Sequence, residues 1–430
     1  MKNSNVEWIG QIPDDWDTKR LKLVLKERNE SNNPEKTNFI LSLTNDRGVI
    51  PYDEKGDVGN KSKDDITGYK LAYPNDIVLN SMNVVIGSVG ISKYFGAVSP
   101  VYYILFPRYE NDDIRYYNYI FQTCEFQNKL KGYGNGIMEI RMRIQMSKLN
   151  SVDIPVPNSL EQRKIADLLD KKCGQIDRLI EIQQQEIEKL KEYKTSVITQ
   201  AVTKGLDPNV PMKESGIEWI GKIPQDWKTL KIKFTSWLKG RIGWDGLKST
   251  EFIDEGPYLI TGTDFSDGKI NWNTCVHITE ERFLEDELLH IKENDLLITK
   301  DGTIGKLAIV KNCPEKVSLN SGVMIIRSLH TWEYIDKYLY YVLSSEQFYL
   351  WYELGQSGNS TIKHLYQGQF YNFEYTYPNI EEQKRIINYL DNKCSAIESM
   401  IVNKNKKIEK LQEFKKSMIY EYVTGKRRVI

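Results

Sequence analysis

Residues 157–173 read PNSLEQRKIADLLDKKC, and residues 378–394 read PNIEEQKRIINYLDNKC. These stretches open a longer repeat, residues 157–203 and 378–424, in which 21 of 47 positions are identical. After the opening Pro–Asn pair neither copy contains proline, and the first copy has a single glycine, Gly174. Because residues that break helices are almost absent, each copy predicts one helix of roughly 45 residues, about 65–70 Å long.

The ends of the two predicted helices carry start and stop signals. Ser159 begins a capping-box pattern, and Asn379 begins the matching one in the second copy. Gly205 and Gly425 stand where a C-terminal cap is expected. The signals therefore predict that both helices start and stop at equivalent points of the repeat.

Apolar residues recur along each predicted helix at the heptad spacing of a coiled coil. In the first helix this seam comprises Leu169, Cys173, Ile176, Ile180, Ile187, Leu190 and Val197. In the second helix it comprises Leu390, Cys394, Ile397, Ile401, Ile408, Leu411 and Met418. The first helix leads into the second half of the chain and the second helix follows that half, so pairing within one chain is antiparallel. Two separate core helices are the alternative.

A second repeat opens each half of the chain. Residues 6–22 read VEWIGQIPDDWDTKRLK and residues 217–233 read IEWIGKIPQDWKTLKIK, with 10 of 17 positions identical. Two tryptophans recur in each copy, Trp8 and Trp16, then Trp219 and Trp227. We expect these aromatic residues to anchor the segments to a neighbouring surface. By symmetry, residues 1–17 should lie at the end of the second helix and residues 212–228 at the end of the first, so the two chain ends meet.

The segments between the repeats read as mixed α/β. Runs rich in Val, Ile, Leu and Tyr predict strands at 39–43, 76–80, 100–106, 258–261, 295–299 and 323–327. Helix-like stretches follow at 112–129 and 332–352. The stretch NDIVLNSMNVVIGSVG at 75–90 resembles NDLLITKDGTIGKLAIV at 294–310. The two segments between the repeats, called the middles, are therefore expected to share a fold and to differ in the polar turns at their tips.

These observations predict an α/β (α+β) protein with two similar mixed α/β domains. The two long helices would join them as an intramolecular antiparallel coiled coil, which makes the chain pseudo-twofold symmetric. The predicted organisation is a first domain at 1–155, a first helix at 156–207, a second domain at 208–377 and a second helix at 378–430.

Composition excludes several classes of protein. The 430 residues include 59 Lys plus Arg and 59 Asp plus Glu, so a nucleic-acid interface requires either local basic groups or partners that supply much of the phosphate contact. No apolar run is long enough for a membrane span. Five scattered cysteines and four histidines form no metal-binding pattern, and free thiols suit a reducing cytoplasm. We find no N-P-P-[FY] tetrapeptide and no phosphate-binding loop, so we expect no catalytic residues, no metal and no cofactor on this chain.

The combined motifs resemble a known family. A Trp-containing opening, an Asn–Asp strand that turns at Asp301 to Gly305, and P-x-x-E-Q-x-x-I leading into a long helix occur in order, and most of them occur twice. This arrangement, over almost the whole chain, resembles the specificity subunit of type I restriction–modification systems. The first tip departs from the pattern, because NSMNVVIG stands where the second half has TKDGTIG.

The resemblance implies a function. The two middles would be target-recognition domains, each reading one half of a split, asymmetric site in double-stranded DNA. The helices would act as a spacer and as the docking site for two methyltransferase subunits, which restriction (translocase–nuclease) subunits can join. The methyl acceptor would be adenine N6. S-adenosylmethionine, ATP and magnesium would belong to those partners.

Residues that read bases need paired donors or acceptors, and those that hold phosphates need lysine, hydroxyl or backbone N–H groups. Polar, glycine-bearing segments at 131–148, 240–248, 300–306 and 355–365 meet this requirement. In the first domain the predicted DNA contacts are Tyr133, Asn135, Arg141, Arg143 and Lys148. In the second domain they are Arg241, Trp244, Lys300, Asp301, Thr303, Lys306, Asn359, Ser360, Thr361, Lys363 and His364.

Other functions stay open at this point. The chain could be a structural scaffold with two interaction domains that do not touch DNA, or it could serve a complex that only methylates. A self-contained modification enzyme with an unrecognised site is a further alternative, against which the missing tetrapeptide weighs.

Overall fold

The computed structural model describes residues 1–45, 47–56, 61–63, 65–134, 143–241, 246–330, 335–355 and 364–429. The chain divides into two compact units, each described here by itself. The first unit comprises Met1–Gln184 and Asn405–Ile430, and the second comprises Gln185–Lys404. The division falls inside both long helices, so each unit contains one stretch of each helix. The domain bounds predicted from the sequence remain a prediction.

The described residues contain two long α-helices and several short ones. They are α1 (Ile114–Phe121), α2 (Cys124–Lys131), α3 (Met146–Leu149), α4 (Ser159–Lys204), α5 (Glu280–Leu284), α6 (Asp336–Leu343), α7 (Glu346–Gly355), α8 (Gln367–Phe370) and α9 (Ile380–Val423). Helices α4 and α9, with 46 and 44 residues, are the two long helices predicted from the repeat.

The strands of the first unit are short. They are β1 (Lys2–Asn3), β2 (Gln11–Ile12), β3 (Asp17–Arg20), β4 (Leu25–Glu27), β5 (Leu41–Thr44), β6 (Gly48–Pro51), β7 (Lys70–Ala72), β8 (Ile77–Asn80), β9 (Val89–Ile91), β10 (Gly96–Val98), β11 (Tyr102–Pro107) and β12 (Asp153–Val156). The central sheet has the strand order β4-β11-β8-β9, with every neighbouring pair antiparallel.

The second unit repeats this central sheet. Its strands are β13 (Met212–Glu214), β14 (Lys222–Pro224), β15 (Lys228–Lys231), β16 (Ser236–Gly240), β17 (Ile253–Ile260), β18 (Phe265–Ser266), β19 (Lys269–Ile270), β20 (Val276–His277), β21 (Leu296–Thr299), β22 (Leu307–Ile309), β23 (Val317–Leu319), β24 (Val323–Ser328) and β25 (Glu374–Tyr377). The order β16-β24-β21-β22 matches that of the first unit. A three-stranded sheet, β20-β17-β23, adds a parallel strand pair, where the described part of the first unit has a parallel bridge between Ile40 and Ala97. The mixed α/β fold predicted from the sequence is confirmed.

Each helix-like stretch late in a domain forms two helices instead of one. Between α1 and α2, the Thr123 hydroxyl donates to the carbonyl of Ile120 and accepts from the Phe126 amide, which ends one helix and caps the next. Ser345 repeats the first of these contacts by donating to the carbonyl of Val342. A hydroxyl residue at the break therefore divides both stretches.

The start of α4 differs from the sequence prediction. The side chain of Asn158, and not that of Ser159, accepts from the Glu161 amide at 3.0 Å, while the Ser159 hydroxyl donates to Asp112. In the second copy Asn379 caps α9, as predicted, by accepting from the Glu382 amide at 2.9 Å. Asn158 is the repeat equivalent of Asn379, so both helices use the same cap. At the other ends Gly205 and Gly425 have φ of 75° and 70°, the left-handed conformation expected of a C-terminal cap.

Within each unit the stretches of α4 and α9 run in opposite directions. In the first unit Glu161 pairs with Arg428, and Asp177, further along α4, pairs with the earlier Lys415. In the second unit Glu186 pairs with Lys404 and Lys194 pairs with Glu398. Nine of the predicted seam residues are buried, namely Leu169, Cys173, Ile176, Ile187, Val197, Leu390, Cys394, Ile397 and Met418. The other five, Ile180, Leu190, Ile401, Ile408 and Leu411, are half-buried. The antiparallel pairing is confirmed within each unit.

The opening segments are anchored as the repeat predicts. In the first unit the Trp16 indole donates to Glu161 at 3.0 Å, and the Tyr420 hydroxyl donates to the Trp8 carbonyl at 3.1 Å. The two chain ends therefore meet within this unit. In the second unit the Trp227 ring packs against Gly205, since a Cβ added at this glycine would lie 3.3 Å from the ring. The residues that follow α4 therefore fold back onto the end of this helix.

Candidate nucleic-acid interface

A buried carboxylate fixes the start of the central strand in the first unit. Asp76 accepts from the Tyr73 amide at 2.9 Å, and Asn75 takes a positive φ of 69° that closes this turn. Arg28 donates two hydrogen bonds to Asp76, at 2.8 and 3.0 Å. This bond raises the pKa of Arg28. The bidentate pair fixes the N-terminal end of β8. This strand in turn positions the loop at its C-terminal end.

The second unit builds the same turn from a different arginine. Asp295 accepts from the Lys292 amide at 2.7 Å, and Asn294 has a φ of 71°. The guanidinium of Arg327 donates to Asp295 at 2.7 and 2.6 Å, and this arginine lies on β24, whereas Arg28 directly follows β4. The Asn–Asp pair that is repeated in the sequence therefore supports the start of the central strand in each unit. The sequence pattern alone did not indicate this role.

A loop follows the central strand in each unit and ends in a left-handed glycine. Gly87 has a φ of 84° and Gly305 has a φ of 85°. A Cβ at either glycine would lie 3.2 Å or less from a helix side chain, Gln127 of α2 or Phe348 of α7, so both loops pack closely on these helices. The first loop contains a 3-10 turn at Val84–Ile86 whose two valines are buried. The two loops therefore occupy equivalent places with different side chains.

Each of these loops is hydrogen-bonded to a segment that was predicted to contact DNA. In the first unit the Ile144 amide donates to the Ser81 carbonyl at 2.9 Å. In the second unit the Leu365 amide donates to the Lys300 carbonyl, also at 2.9 Å. In each unit two segments that are far apart in the sequence therefore meet at one end of the central sheet. In the second unit both were predicted to contact DNA, whereas in the first unit only the segment at 131–148 was.

Several predicted contact residues lie outside the described residues. They are Asn135, Arg141, Trp244, Asn359, Ser360, Thr361 and Lys363. In the first unit Arg143 and Lys148 are exposed, and Tyr133 is half-buried with the ammonium of Lys129 5.6 Å from its ring. This leaves two accessible cations beside the loop of Ser81.

In the second unit the structure corrects the exposure expected for Arg241 and Lys300. The side chain of Arg241 is only 2% exposed, and its Nε donates to the Leu319 carbonyl at 3.2 Å. The Lys300 ammonium is also buried and donates to the Arg241 carbonyl at 3.1 Å, and burial lowers the pKa of Lys300. These cations support the loop from inside, through contacts between distant segments that the sequence alone does not show.

The remaining predicted residues of this loop lie at its surface. Thr303 and Lys306 are exposed. The ring of His364 is hydrogen-bonded through Nδ1 to the carboxylate of Asp301, which joins the two predicted segments a second time. The loop thus presents a hydroxyl, an ammonium and an imidazole, groups that can contact phosphates or base edges.

Two other kinds of site were sought among the described residues. No group of three or more His, Cys, Asp or Glu side chains there could hold a metal ion. Within the same part of the chain, no helix is both long enough and apolar enough to cross a membrane.

Comparison with known proteins gives a consistent result. The profile of the family described as the type I restriction modification DNA specificity domain matches residues 13–192 and 242–419. A protein of Methanocaldococcus jannaschii, provisionally named type I restriction enzyme MjaX specificity subunit, is 26% identical over 98% of this chain and 96% of its own length. The type I restriction enzyme MjaVIII specificity subunit of the same organism is 28% identical over 72% of this chain and 70% of its own.

The fold also matches a solved structure. A chain from a study of complex assembly and conformational transition of the type I R-M system has a TM-score of 0.71, covering 96% of this chain and 98% of that one. The two share 13% sequence identity, so the likeness concerns the fold.

Proposed function

This chain belongs to the type I restriction–modification DNA specificity family and is a specificity subunit of such a system, and we propose that it reads a bipartite, asymmetric DNA site with one half-site for each unit. In this proposal the chain is not itself catalytic. It directs the adenine-N6 methyltransferase subunits that carry S-adenosylmethionine, and the restriction subunits that use ATP and magnesium.

One observation carries this proposal. Each unit joins the same two segments at the same end of an equivalent sheet, through Ile144 and Ser81 in one unit and through Leu365 and Lys300 in the other. The backbone contact is repeated, while the side chains around it differ between the units. Two equivalent supports with different side chains are what one chain needs to read two unlike half-sites.

The residues proposed to contact DNA are those predicted from the sequence. In the first unit they are Tyr133, Asn135, Arg141, Arg143 and Lys148. In the second unit they are Trp244, Thr303, Lys306, Asn359, Ser360, Thr361, Lys363 and His364, with Arg241, Lys300 and Asp301 supporting the loop. The domain bounds 1–155 and 208–377 are proposed as the limits of the two readers.

The long helices are proposed to dock two copies of the methyltransferase subunit. Leu179 on α4 and its repeat equivalent Met400 on α9 are both exposed, and so are Tyr193 on α4 and its equivalent Phe414 on α9. Each unit therefore contains one member of each of these two equivalent pairs on its stretches of the long helices. Exposed apolar residues at repeated positions suit two identical partners.

Charge reversal in one unit at a time tests the proposal. The Arg143→Glu and Lys306→Glu chains, each assembled with its partner subunits, would select duplexes from a random library. We expect Arg143→Glu to reduce base preference in one half of the selected motif and Lys306→Glu to reduce it in the other half. Lys292→Glu, an exposed change at the opposite end of β21, serves as the control and should preserve both halves. Equal loss in both halves from either reader variant would contradict the proposal.

A further inference from the structure

A groove in the first unit is lined by cations and amide side chains that no sequence motif connects. Its volume is about 560 Å³, and β6, β9, α1, α2 and α9 contribute to its walls. The cationic lining residues are Arg47, Lys93, Lys415 and Lys416. No aspartate or glutamate occurs among the described residues that line it. The groove is therefore a locally basic site on a chain whose formal net charge is zero.

The cations differ in whether they already form hydrogen bonds or ion pairs with other groups. The ammonium of Lys415 is held by Asp177 at 2.6 and 2.7 Å, and Arg47 donates to the Glu54 carbonyl at 3.0 Å. Lys93 and Lys416 are exposed at the rim, so their side chains can turn toward a bound anion. These two lysines are the most accessible source of positive charge in the groove.

An amide side chain in the wall has an unmet hydrogen-bonding group. Asn118 is 9% exposed, and its side-chain oxygen has no hydrogen-bond partner among the described residues. Leaving such a group unpaired is unfavourable, so a ligand or water is expected against it. Its amide can turn so that the NH₂ group donates to an anion, and Gln122 and Gln127 offer the same groups nearby.

The groove is continuous with the loop that meets the segment proposed to contact DNA in the first unit. Ile86 and Gly87 line it, and they belong to the loop that begins at Ser81, whose carbonyl receives the Ile144 amide. A duplex read at this loop would carry its phosphates past the neighbouring surface. This continuity favours the DNA backbone over an acidic segment of another protein.

The corresponding groove of the second unit has different chemistry. It includes Gly305, the equivalent of Gly87, and is walled by Tyr340, Ser344 and Tyr349 where the first unit has the three amides. Its charged lining residues among those described are Lys306 and Asp267, one of each sign. The concentration of positive charge is thus a property of the first unit.

We propose that the groove of the first unit binds phosphate groups of the DNA backbone beside the half-site read by that unit. The described residues of the second unit form no equivalent phosphate site, so the two halves of the DNA are held with unequal electrostatic contributions. This inference rests on the proposed function, because it takes DNA to be the molecule at the neighbouring loop.

Salt dependence of DNA binding provides the test. The full chain with its partner subunits would bind a mixed-sequence duplex between about 50 and 200 mM salt, since phosphate contacts do not depend on base sequence. We expect Lys93→Ala with Lys416→Ala to lower the slope of log affinity against log salt by about one to two. Lys311→Ala, the repeat equivalent of Lys93 in the second unit and also exposed, is the matched control and should leave the slope unchanged.

A second variant tests the proposal independently if the lysine substitutions change the slope too little to measure. Asn118→Asp is nearly isosteric and places a carboxylate in the wall, so it should weaken binding of the same duplex several-fold. Thermal melting of each variant would check that it folds. A steep wild-type slope that neither variant changes would overturn the phosphate site and leave the proposed function standing. Loss of partner subunits with an unchanged slope would overturn it in favour of a protein-binding groove. No salt-dependent binding by the wild-type complex would overturn both proposals.

Discussion

The hydroxyl oxygen of Tyr116 lies 2.9 Å from the carbonyl oxygen of Val423, a residue 307 positions later in the chain. The same hydroxyl lies 3.0 Å from the Pro155 carbonyl, and burial raises the pKa of Tyr116 well above its ordinary value. In the second unit the Tyr338 hydroxyl lies 3.4 Å from the carbonyl of Val202, the repeat equivalent of Val423. In each unit a buried tyrosine thus ties the last turn of a long helix to the sheet-bearing domain.

The Tyr116→Phe change should destabilise the first unit. It removes the hydroxyl hydrogen that lies within reach of both buried carbonyls, so we expect a loss of about 1–3 kcal/mol in the free energy of unfolding. Urea denaturation followed by tryptophan fluorescence would measure it, because Trp8 and Trp16 belong to the same core. Tyr109→Phe, at an exposed tyrosine, is the control and should have no effect. Equal midpoints for the two variants would show that the Tyr116 contact contributes nothing.

Charged substitutions on the long helices should change the number of bound methyltransferase subunits. Phe414 lies in the first unit and Tyr193 in the second, both exposed on a long helix. We expect Phe414→Asp or Tyr193→Asp to lower the stoichiometry from two partner subunits to one, and the double variant to bind none, because each change puts a charge into an apolar contact. Mass photometry of the purified complexes would count the subunits.

Tyr109→Asp, away from both helices, controls for a general effect of added charge. If both single variants kept two methyltransferase subunits, the docking surface would lie elsewhere on the chain.

The sequence predicted the features that depend on local patterns. Helix length, the C-terminal glycines, the seam and the anchoring of the opening segments all follow from spacing along one stretch of chain. The N-terminal cap of α4 was wrong by one residue, because Asn158 and Ser159 are both good caps and the choice depends on Asp112, which attracts the serine hydroxyl.

The candidate sites depend on contacts between distant segments, which one sequence does not reveal. Arg241 and Lys300 have the composition of exposed DNA contacts, yet both are buried and donate to carbonyls of distant segments, Leu319 for Arg241 and Arg241 for Lys300. Likewise Lys93 and Lys416 lie 323 positions apart and become neighbours of one groove only in the folded first unit. The meeting of Ser81 with Ile144 has the same tertiary origin.

The Asp336→Asn change should stabilise the second unit above neutral pH. Burial raises the pKa of Asp336 from 3.8 to about 6, and one of its carboxylate oxygens has no partner among the described residues. The folded state therefore binds a proton more tightly than the unfolded state, and stability is lost as pH rises from about 4 to 6.

The asparagine variant avoids that loss, so it should unfold at higher urea concentration than the wild type at pH 7 and at a similar one at pH 4. Asp254→Asn, at an exposed aspartate, should show no such dependence on pH. A difference at pH 7 that persisted unchanged at pH 4 would contradict an effect of charge.

Alkylation should distinguish the five free cysteines. Cys173 and Cys275 are buried, and burial raises the pKa of their thiols to about 11 and about 12, so little reactive thiolate exists at pH 8. Cys124 is half-buried at the wall of the basic groove, and we expect it to react first with iodoacetamide. Peptide mass spectrometry would report the order, with the guanidinium-unfolded chain as the control in which all five react. Earlier labelling of Cys173 would show that the helix seam opens in solution.

Single-molecule methylome sequencing of cells with and without this gene tests the central claim most directly. The account predicts N6-methyladenine at an asymmetric motif of two specified parts separated by a fixed unspecified gap, present with the gene and absent without it. A methylome that does not change when the gene is removed, or a lost motif that is continuous or palindromic, would contradict the reading of two different half-sites by two units of one chain.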